Sequence, residues 1–460
     1  MSAVLEFDQA QDPPRARGLP LLGNTLDMAR GPAEFFVKLY REYGPVSRIS
    51  VLGNSYTVIA GPEAANFVGS REGKDCLRSK EFWQGLVEEY GATRTLTGED
   101  GESHKELRNI MRRGYSKDSI KGRYDELVRI TDRCFQRDWP VGQSVQVLPA
   151  MQYMVTDQLG TILTGSAPLE YVDAIRTNIL YILNVLVTRQ RPKFLLLRPE
   201  YKKARRRVFE LKEKMVADWY ARHPNGQEEP GEDETPNLID DIMRAHVNQP
   251  EVIPESDLAV TLTGPYVAGL DTVANTTAAI TYCVLKYPEV RRRVYEEVDA
   301  LFAEGDIDES QLFAKIPALQ GAIMEAMRLY PIAVAQMRTA TKDFVFQGCR
   351  IREGEMLYVA TSVPHFMEEF YPEPQRFDID RYAKPRAEHM QSGAYSPYGR
   401  GPHTCLGKSL AEVQIALSMA RLFYKLDLEL DPPDYTLKTK TAPTPGPSTQ
   451  FKVRVKGYRH

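Results

Sequence analysis

The sequence predicts a mainly α-helical protein with a small β lobe. Three observations predict it. An apolar rhythm of helical period runs from about residue 71 to residue 330. The β-like runs, at 46–51, at 56–59 and within 340–357, are short. A last strong helical stretch starts near Cys405 and reaches about Lys425. Length alone, at 460 residues, suggests two or three domains.

The elements follow in order. The segment PPRARGLPLLGN (13–24) is punctuated by Pro and Gly and reads as an ordered irregular arm. HPNGQEEPGEDETP (223–236) is acidic and rich in Pro and Gly, and reads as a solvated loop between helices. The longest helix is expected from about Leu258 to Tyr287, capped by Ser256 and closed by Pro288. Gly264, Pro265 and Gly269 lie inside it. An interior Pro costs about 3 kcal/mol, so this helix is expected to be bent or widened. Helices are expected at 289–302 and 320–330. Residues 366–404 lack periodicity, and so long an irregular stretch points to function.

Composition excludes several classes. With 59 basic and 62 acidic side chains the formal charge is −3, which gives no global attraction to nucleic acid or anionic lipid. Five cysteines, none in a CxxC pair, argue against a disulfide framework or a structural zinc site and for a reducing compartment. The N-terminus is polar, and no stretch stays apolar for about 18 residues. A soluble cytoplasmic protein without a membrane anchor is expected.

The chemistry concentrates at Tyr398-Gly-Arg-Gly-Pro-His-Thr-Cys405-Leu-Gly407. A thiolate before a helix N-terminus faces unpaired amides and the positive end of the dipole, which favour its charge. Gly401 and Gly407 allow close approach of a flat group, and His403 and Arg400 add donors. A lone cysteine is ordinarily an inert buried thiol; this loop reverses that reading. It resembles the cytochrome P450 haem-binding signature, F-x-x-G-x-[HR]-x-C-x-G, with Tyr398, Gly401, His403, Cys405 and Gly407 at its positions. Tyr398 stands where Phe is usual, and its hydroxyl is expected to affect hydrogen bonding near the sulfur.

Other segments fit the same family in the same order. Glu325-Ala-Met-Arg328 resembles its ExxR; apolar neighbours suggest burial, where a surface ion pair is the ordinary fate of such a motif. The resemblance implies that Arg381, in Ile379-Asp-Arg381-Tyr382, completes a structural triad with Glu325 and Arg328 in a bidentate role. Ala268-Gly269-Leu-Asp271-Thr272 resembles the oxygen-activation motif. A Thr272 hydroxyl bonded to the Ala268 carbonyl would open a groove, Gly269 would leave room for dioxygen, and Asp271 with Thr272 would deliver protons. His104 and Arg108 resemble the HxxxR that meets a haem propionate, and Arg338 stands where many members place another propionate arginine. His365, in HFMEEFYPEP, matches only loosely and is left out of the site.

The resemblance covers essentially the whole chain. It implies one P450 domain over 1–460, with arm and β-rich lobe at about 13–70 and helical core at about 71–425. It implies haem b with Cys405 as axial iron ligand, and a monooxygenase using O2. Apolar segments at 82–95, 179–197, 266–276 and 332–336 favour a lipophilic substrate: terpenoid, steroid, fatty acid or polyketide. Arg189, Arg191 and Lys193 either meet an acidic group of the substrate or lie at the surface. Electrons are expected from a separate ferredoxin or flavodoxin with its reductase, docking on Arg112, Arg113, Lys117, Lys121, Arg123 and Lys408. A monomer without nucleic-acid partner is expected. The alternatives are an isomerase, dehydratase or peroxygenase on this fold, and a haem-binding sensor.

Overall fold

The computed structural model describes residues 7–224, 237–303, 305, 307, 309–442 and 444–460. The acidic loop predicted at 223–236 therefore lies outside the described residues from 225 to its end. The helical rhythm of the middle of the chain is realised in a bundle around one central element, the helix Leu258–Lys286. Most of its side chains are buried, among them Leu262, Tyr266, Leu270, Ala274 and Ala278. Around it pack Val147–Leu159, Pro317–Leu329 and Lys408–Lys425, which share one apolar core with it.

The β lobe is built from two segments far apart in the chain. Five strands are ordered Val46–Val51, Asn54–Ala60, Met356–Ala360, Gln336–Ala340 and Leu77–Arg78. Asn54–Ala60 and Met356–Ala360 run parallel; the other pairs are antiparallel. A parallel pair needs a long crossover, and here it is the helical core itself. The lobe is thus not confined to 13–70, because residues 336–360 supply two of its three inner strands.

Several boundaries shift for identifiable reasons. Pro317 opens the ExxR helix three residues earlier than its apolar rhythm suggests. Ser256 lies in a short turn before the long helix and does not cap it. Asp257 stands at the cap position, and its carboxylate instead accepts from the Thr93 N–H (2.6 Å) and Oγ1 (2.7 Å). The long helix stays continuous through Gly264, Pro265 and Gly269; widened turns occur elsewhere, at Gly160–Thr164 and Ile182–Val187. Burial along the long helix compensates for the hydrogen bond Pro265 removes. A three-stranded sheet of Ser144–Gln146, Lys452–Tyr458 and Leu426–Asp431 was not anticipated, although LDLELD alternates buried and half-buried residues as a strand should.

Candidate active site

Cys405 is set by a loop that folds back on itself. Its N–H donates to the Tyr398 carbonyl (2.9 Å), and Thr404 N–H and Oγ1 both close on Gly401 O (3.0 and 2.8 Å). Gly401 has φ +80°, and a Cβ there would stand 2.4 Å from Val68 O. Its role is therefore close packing against the 68–69 backbone as well as a left-handed turn. Gly407 caps the helix Lys408–Lys425 with an ordinary φ of −81°, and a Cβ would meet only the Tyr115 ring at 3.6 Å and Cys405 Sγ at 4.0 Å. It is not sterically obliged to be glycine.

The thiol of Cys405 is not lowered as its place before a helix suggests. Burial pushes it up, while the Gly407 N–H and the charges of Arg108 and Lys408 pull it back. The side chain is nonetheless exposed by contact area. Both hold for a sulfur that lines a cavity deep in the protein. The Tyr398 hydroxyl does not reach the sulfur: its partner is Met327 Sδ at 4.0 Å, and Lys408 Nζ lies 5.7 Å from the ring centre.

Cationic and ionisable side chains gather around His104 and Arg108, and Arg108 feels the charge of the sulfur. Arg108 is half-buried, its guanidinium pulled down by burial and raised by the Cys405 charge. Arg338 is 8% exposed and is pushed down to about 10 by burial. Among the described residues it donates to Met337 O (2.7 Å) and Gln336 Oε1 (3.1 Å) and to no carboxylate, though the Asp100 charge acts on it from a distance. The rings of His104 and His403 lie 4.3 Å apart, tilted by 38°. Burial, then the charges of His403 and Arg108, push His104 down to about 4. Arg400 turns away to Ser396 Oγ (2.6 Å) and Tyr395 O (3.2 Å).

Sequence reasoning missed Asp100 here. It accepts from His403 Nε2 (2.8 Å) and from the Ser79 N–H (2.7 Å). Burial pushes its carboxyl up, but these bonds and the charges of His403 and Arg338 outweigh it and hold it low. One carboxylate among four cationic or ionisable groups leaves the buried Arg338 in need of an anion. The residues therefore fit a thiolate-ligated group with acidic edges, as haem has.

The long helix presents two faces. Ala268 and Thr272 are exposed on an otherwise buried helix, and a Cβ on Gly264 would meet open space. These positions recur every four residues and form one open stripe. Thr272 Oγ1 donates to Ala268 O (2.8 Å) and approaches Gly269 O (3.3 Å). Gly269 packs toward the neighbouring helix, where a Cβ would lie 3.0 Å from Leu159 Cδ1.

Asp271 turns the other way. It is 8% exposed, and its Oδ1 accepts from Gln152 Nε2 at 2.6 Å. Asn275 Nδ2 donates to its carbonyl (2.7 Å). Behind it lies the hairpin Thr439–Lys440 with Gly446–Pro447. Gly446 packs so tightly on Asn275 that a Cβ would meet its Oδ1 at 2.2 Å. Lys440, paired with Gly446, is lowered by burial and raised by the Asp271 charge. The acid and alcohol of the motif thus do not touch; the helix holds one on each face. A polar Gln within the apolar run VLPAMQYMV was the available signal for Gln152.

The structural triad is fully buried. Glu325 takes both Arg328 bonds, Nε to Oε2 and Nη2 to Oε1, each at 2.8 Å. The bidentate role is therefore Arg328's. Arg381 gives Glu325 a single bond from Nε (3.1 Å) and turns Nη1 to Glu388 Oε2 (2.9 Å) and Pro372 O (2.8 Å). Tyr382 OH (2.6 Å) and Asp378 N–H (3.1 Å) complete the Glu325 shell. Arg328 Nη1 reaches His365 O (2.5 Å), and His365 Nε2 accepts the Ser396 N–H (3.0 Å). His365, left out on sequence grounds, thereby ties the triad to the segment leading into the cysteine loop.

The comparisons with known proteins agree along the chain. The family model described as Cytochrome P450 matches residues 13–453. A protein called putative cytochrome P450 136 from Mycobacterium tuberculosis is 26% identical over 430 residues, covering 91% of this chain and 83% of that protein. Cyclooctat-9-en-7-ol 5-monooxygenase of Streptomyces melanosporofaciens is 25% identical over 422 residues, 88% of this chain and 86% of that one. The structure of retinoic acid-bound cyanobacterial CYP120A1 superposes with a TM-score of 0.80 at 22% identity, covering 97% of this chain and all of that one. A thiol at a loop–helix junction, the Arg108 charge acting on it and a match over nearly the full length lead to one conclusion: this chain belongs to the cytochrome P450 family and is a haem-thiolate monooxygenase that binds haem b.

Proposed function

We propose that the protein inserts one oxygen atom of O2 into a lipophilic small molecule, within a single catalytic domain, using electrons from a separate redox protein. The observation that carries the reading is the Thr272 hydroxyl bonded to Ala268 O on the open stripe of the long helix, one residue from buried Asp271. An isomerase, a dehydratase or a ligand-binding sensor has no need of an acid and an alcohol at that point. The stripe of Gly264, Ala268 and Thr272 is small and weakly polar, which suits a hydrocarbon skeleton. Two similar proteins carry names in keeping with this, one for oxidation of cyclooctat-9-en-7-ol and one for bound retinoic acid.

Haem bound through Cys405 supplies the activation of dioxygen. The remaining work falls to the chain. Arg338, Arg108 and His104 would hold the acidic edges. The buried triad and His365 fix the segments that feed the cysteine loop. Thr272 Oγ1, anchored on Ala268 O, is the group on the cavity side that donates or relays a proton. Asp271, held by Gln152 on the far side, is the reservoir that resupplies it through solvent or a side-chain rotation. Arg112, Lys117 and Lys121 are exposed and make no ion pair among the described residues, so they are the cations left to meet an acidic ferredoxin or flavodoxin. Arg113 is engaged by Asp241 and Arg123 by Glu126.

The test is product formation under isotopically labelled dioxygen, with and without a ferredoxin–reductase system. Label in the product only when reductant is supplied is expected. Unlabelled product, or product made equally well from peroxide alone, would overturn the reading. Thr272→Ala should raise electron consumption per product; unchanged coupling removes the proton role of Thr272.

A further inference from the structure

We infer that Lys440, on the hairpin behind the long helix, is the counter-ion of Asp271 and a positioning residue for the proton supply, which rests on the reservoir role given to Asp271 above. Lys440 keeps that carboxylate on the far side of the helix until it has taken up a proton.

The hairpin is fixed against the helix at several points. Thr439 pairs with Pro447 and Lys440 with Gly446. Ser448 N–H donates to Lys438 O (2.8 Å), and Thr441 Oγ1 donates to Ala29 O (2.7 Å). Gly446 lies so close to Asn275 that a Cβ would collide with its Oδ1. Asn275 stands one turn after Asp271 and donates from Nδ2 to the Asp271 carbonyl (2.7 Å). The strand that carries Lys440 is therefore bonded to the strand that touches this turn of the helix.

The needs of the two charges match. Lys440 is half-buried and donates to Thr444 O (3.0 Å); it makes no ion pair closer than 4 Å among the described residues. An ammonium has three donors, and a desolvated one calls for an anion. Asp271 is buried and bonded through its carboxylate to the neutral amide of Gln152 (2.6 Å). Two more acceptors nearby, Gln152 Oε1 and Asn275 Oδ1, are buried without a donor among the described residues. The space behind the helix is thus rich in acceptors, and Lys440 is the cation that answers them. Burial lowers Lys440 while the Asp271 charge raises it.

Other ionisable groups around Asp271 are engaged elsewhere. On the helix Val147–Leu159, Tyr153 turns to Asp173 (3.4 Å) and Asp157 accepts from Arg133 (2.7 Å). On the long helix, the Tyr266 hydroxyl lies at Thr164 Oγ1 (3.4 Å). Asp27 and Arg30 flank the Ala29 carbonyl that tethers Thr441, and neither acts on Lys440, whereas the Asp271 charge does.

The pairing gives the reservoir a latch. Burial by itself favours a neutral carboxyl group, and a facing ammonium favours the carboxylate. The carboxylate takes a proton from solvent and becomes neutral, while Lys440 stays charged throughout. Neutralisation cancels the attraction to Lys440 and frees the side chain to rotate toward Thr272. Handing the proton to the Thr272 side restores the carboxylate, which Lys440 draws back.

The experiment is an infrared titration of the haem-loaded full chain. The protonated-carboxyl band of Asp271 is identified by its loss in Asp271→Asn. In Lys440→Met the band should appear at a pH roughly one unit higher than in the parent, and Lys440→Arg should restore the parent behaviour. An unchanged carbon-monoxide spectrum in each variant separates lost charge from lost fold. A band that appears at the same pH in the parent and in Lys440→Met, or in neither, overturns the pairing. Lys440→Arg shifted as far as Lys440→Met overturns it too, because the charge would then not be what acts. The titration needs neither substrate nor turnover, so its failure is distinct from failure of the oxygen-insertion reading, which labelled dioxygen decides.

Discussion

Replacing Glu325 by Gln is the sharpest test of how the cysteine loop is held. Glu325, fully buried, accepts from Arg328 twice and from Arg381, Tyr382 and Asp378 once each. The amide keeps one oxygen and so can retain the bonds now made to Oε1. It presents an NH2 group to Arg328 Nε–H and removes the negative charge between two guanidinium groups that are both 0% exposed. Breaking a buried pair in this way costs about 3–5 kcal/mol, against a total stability of order 5–15 kcal/mol. Exchange of one donor pair alone would cost only about 1–3 kcal/mol, so the charge decides the size. The assay is urea unfolding followed by tryptophan fluorescence, with haem retention measured alongside. Both should fall, and haem should be lost before the global transition, because the triad restrains 371–396 rather than the main helices. A loss below about 1 kcal/mol with haem retained would refute the reasoning that this pair is load-carrying for the loop.

Three further outcomes follow from the same geometry. His365 is pushed down to about 3 by burial, with the charges of Arg328 and Arg400 adding to it. Its folded value lies below the unfolded value of about 6.5, so its contribution is present above that pH and is lost at about 1.4 kcal/mol per unit as pH falls toward the folded value. The stability gap between the parent and His365→Gln should narrow on acidification; a constant gap counts against it. Gln152→Leu removes the 2.6 Å bond to Asp271 and should slow proton-dependent turnover by about tenfold and raise peroxide release, read from oxygen and peroxide balances. Arg112→Glu should slow haem reduction by an acidic ferredoxin at low salt, with the difference fading near 0.5 M or about that ionic strength, whereas Arg113→Glu first breaks the bond to Asp241. Equal reduction rates at low salt would remove this face from the docking site.

The sequence by itself determined the chemistry of this protein. Cys405 in its glycine-punctuated loop, Glu325 with Arg328, and Asp271 with Thr272 are short-range patterns whose spacing survives any packing around them. The helical core was legible for the same reason, since a 3.6-residue apolar period is local. Tertiary structure decided everything that depends on which distant segments meet. Asp100 reaches His403 across 303 positions, Gln152 reaches Asp271 across 119, and two of the three inner strands of the lobe come from 336–360. No periodicity encodes such meetings. The structure also decided the direction of side chains: Arg328 rather than Arg381 is bidentate, the Tyr398 hydroxyl turns to Met327, and Asp271 is buried against Gln152 while Thr272 is exposed. Burial fixed the electrostatics, raising the Cys405 thiol against the pull of its helix and lowering Arg338 despite the Asp100 charge. A motif names the groups that can react, and desolvation by distant parts of the chain sets the charge each prefers to carry.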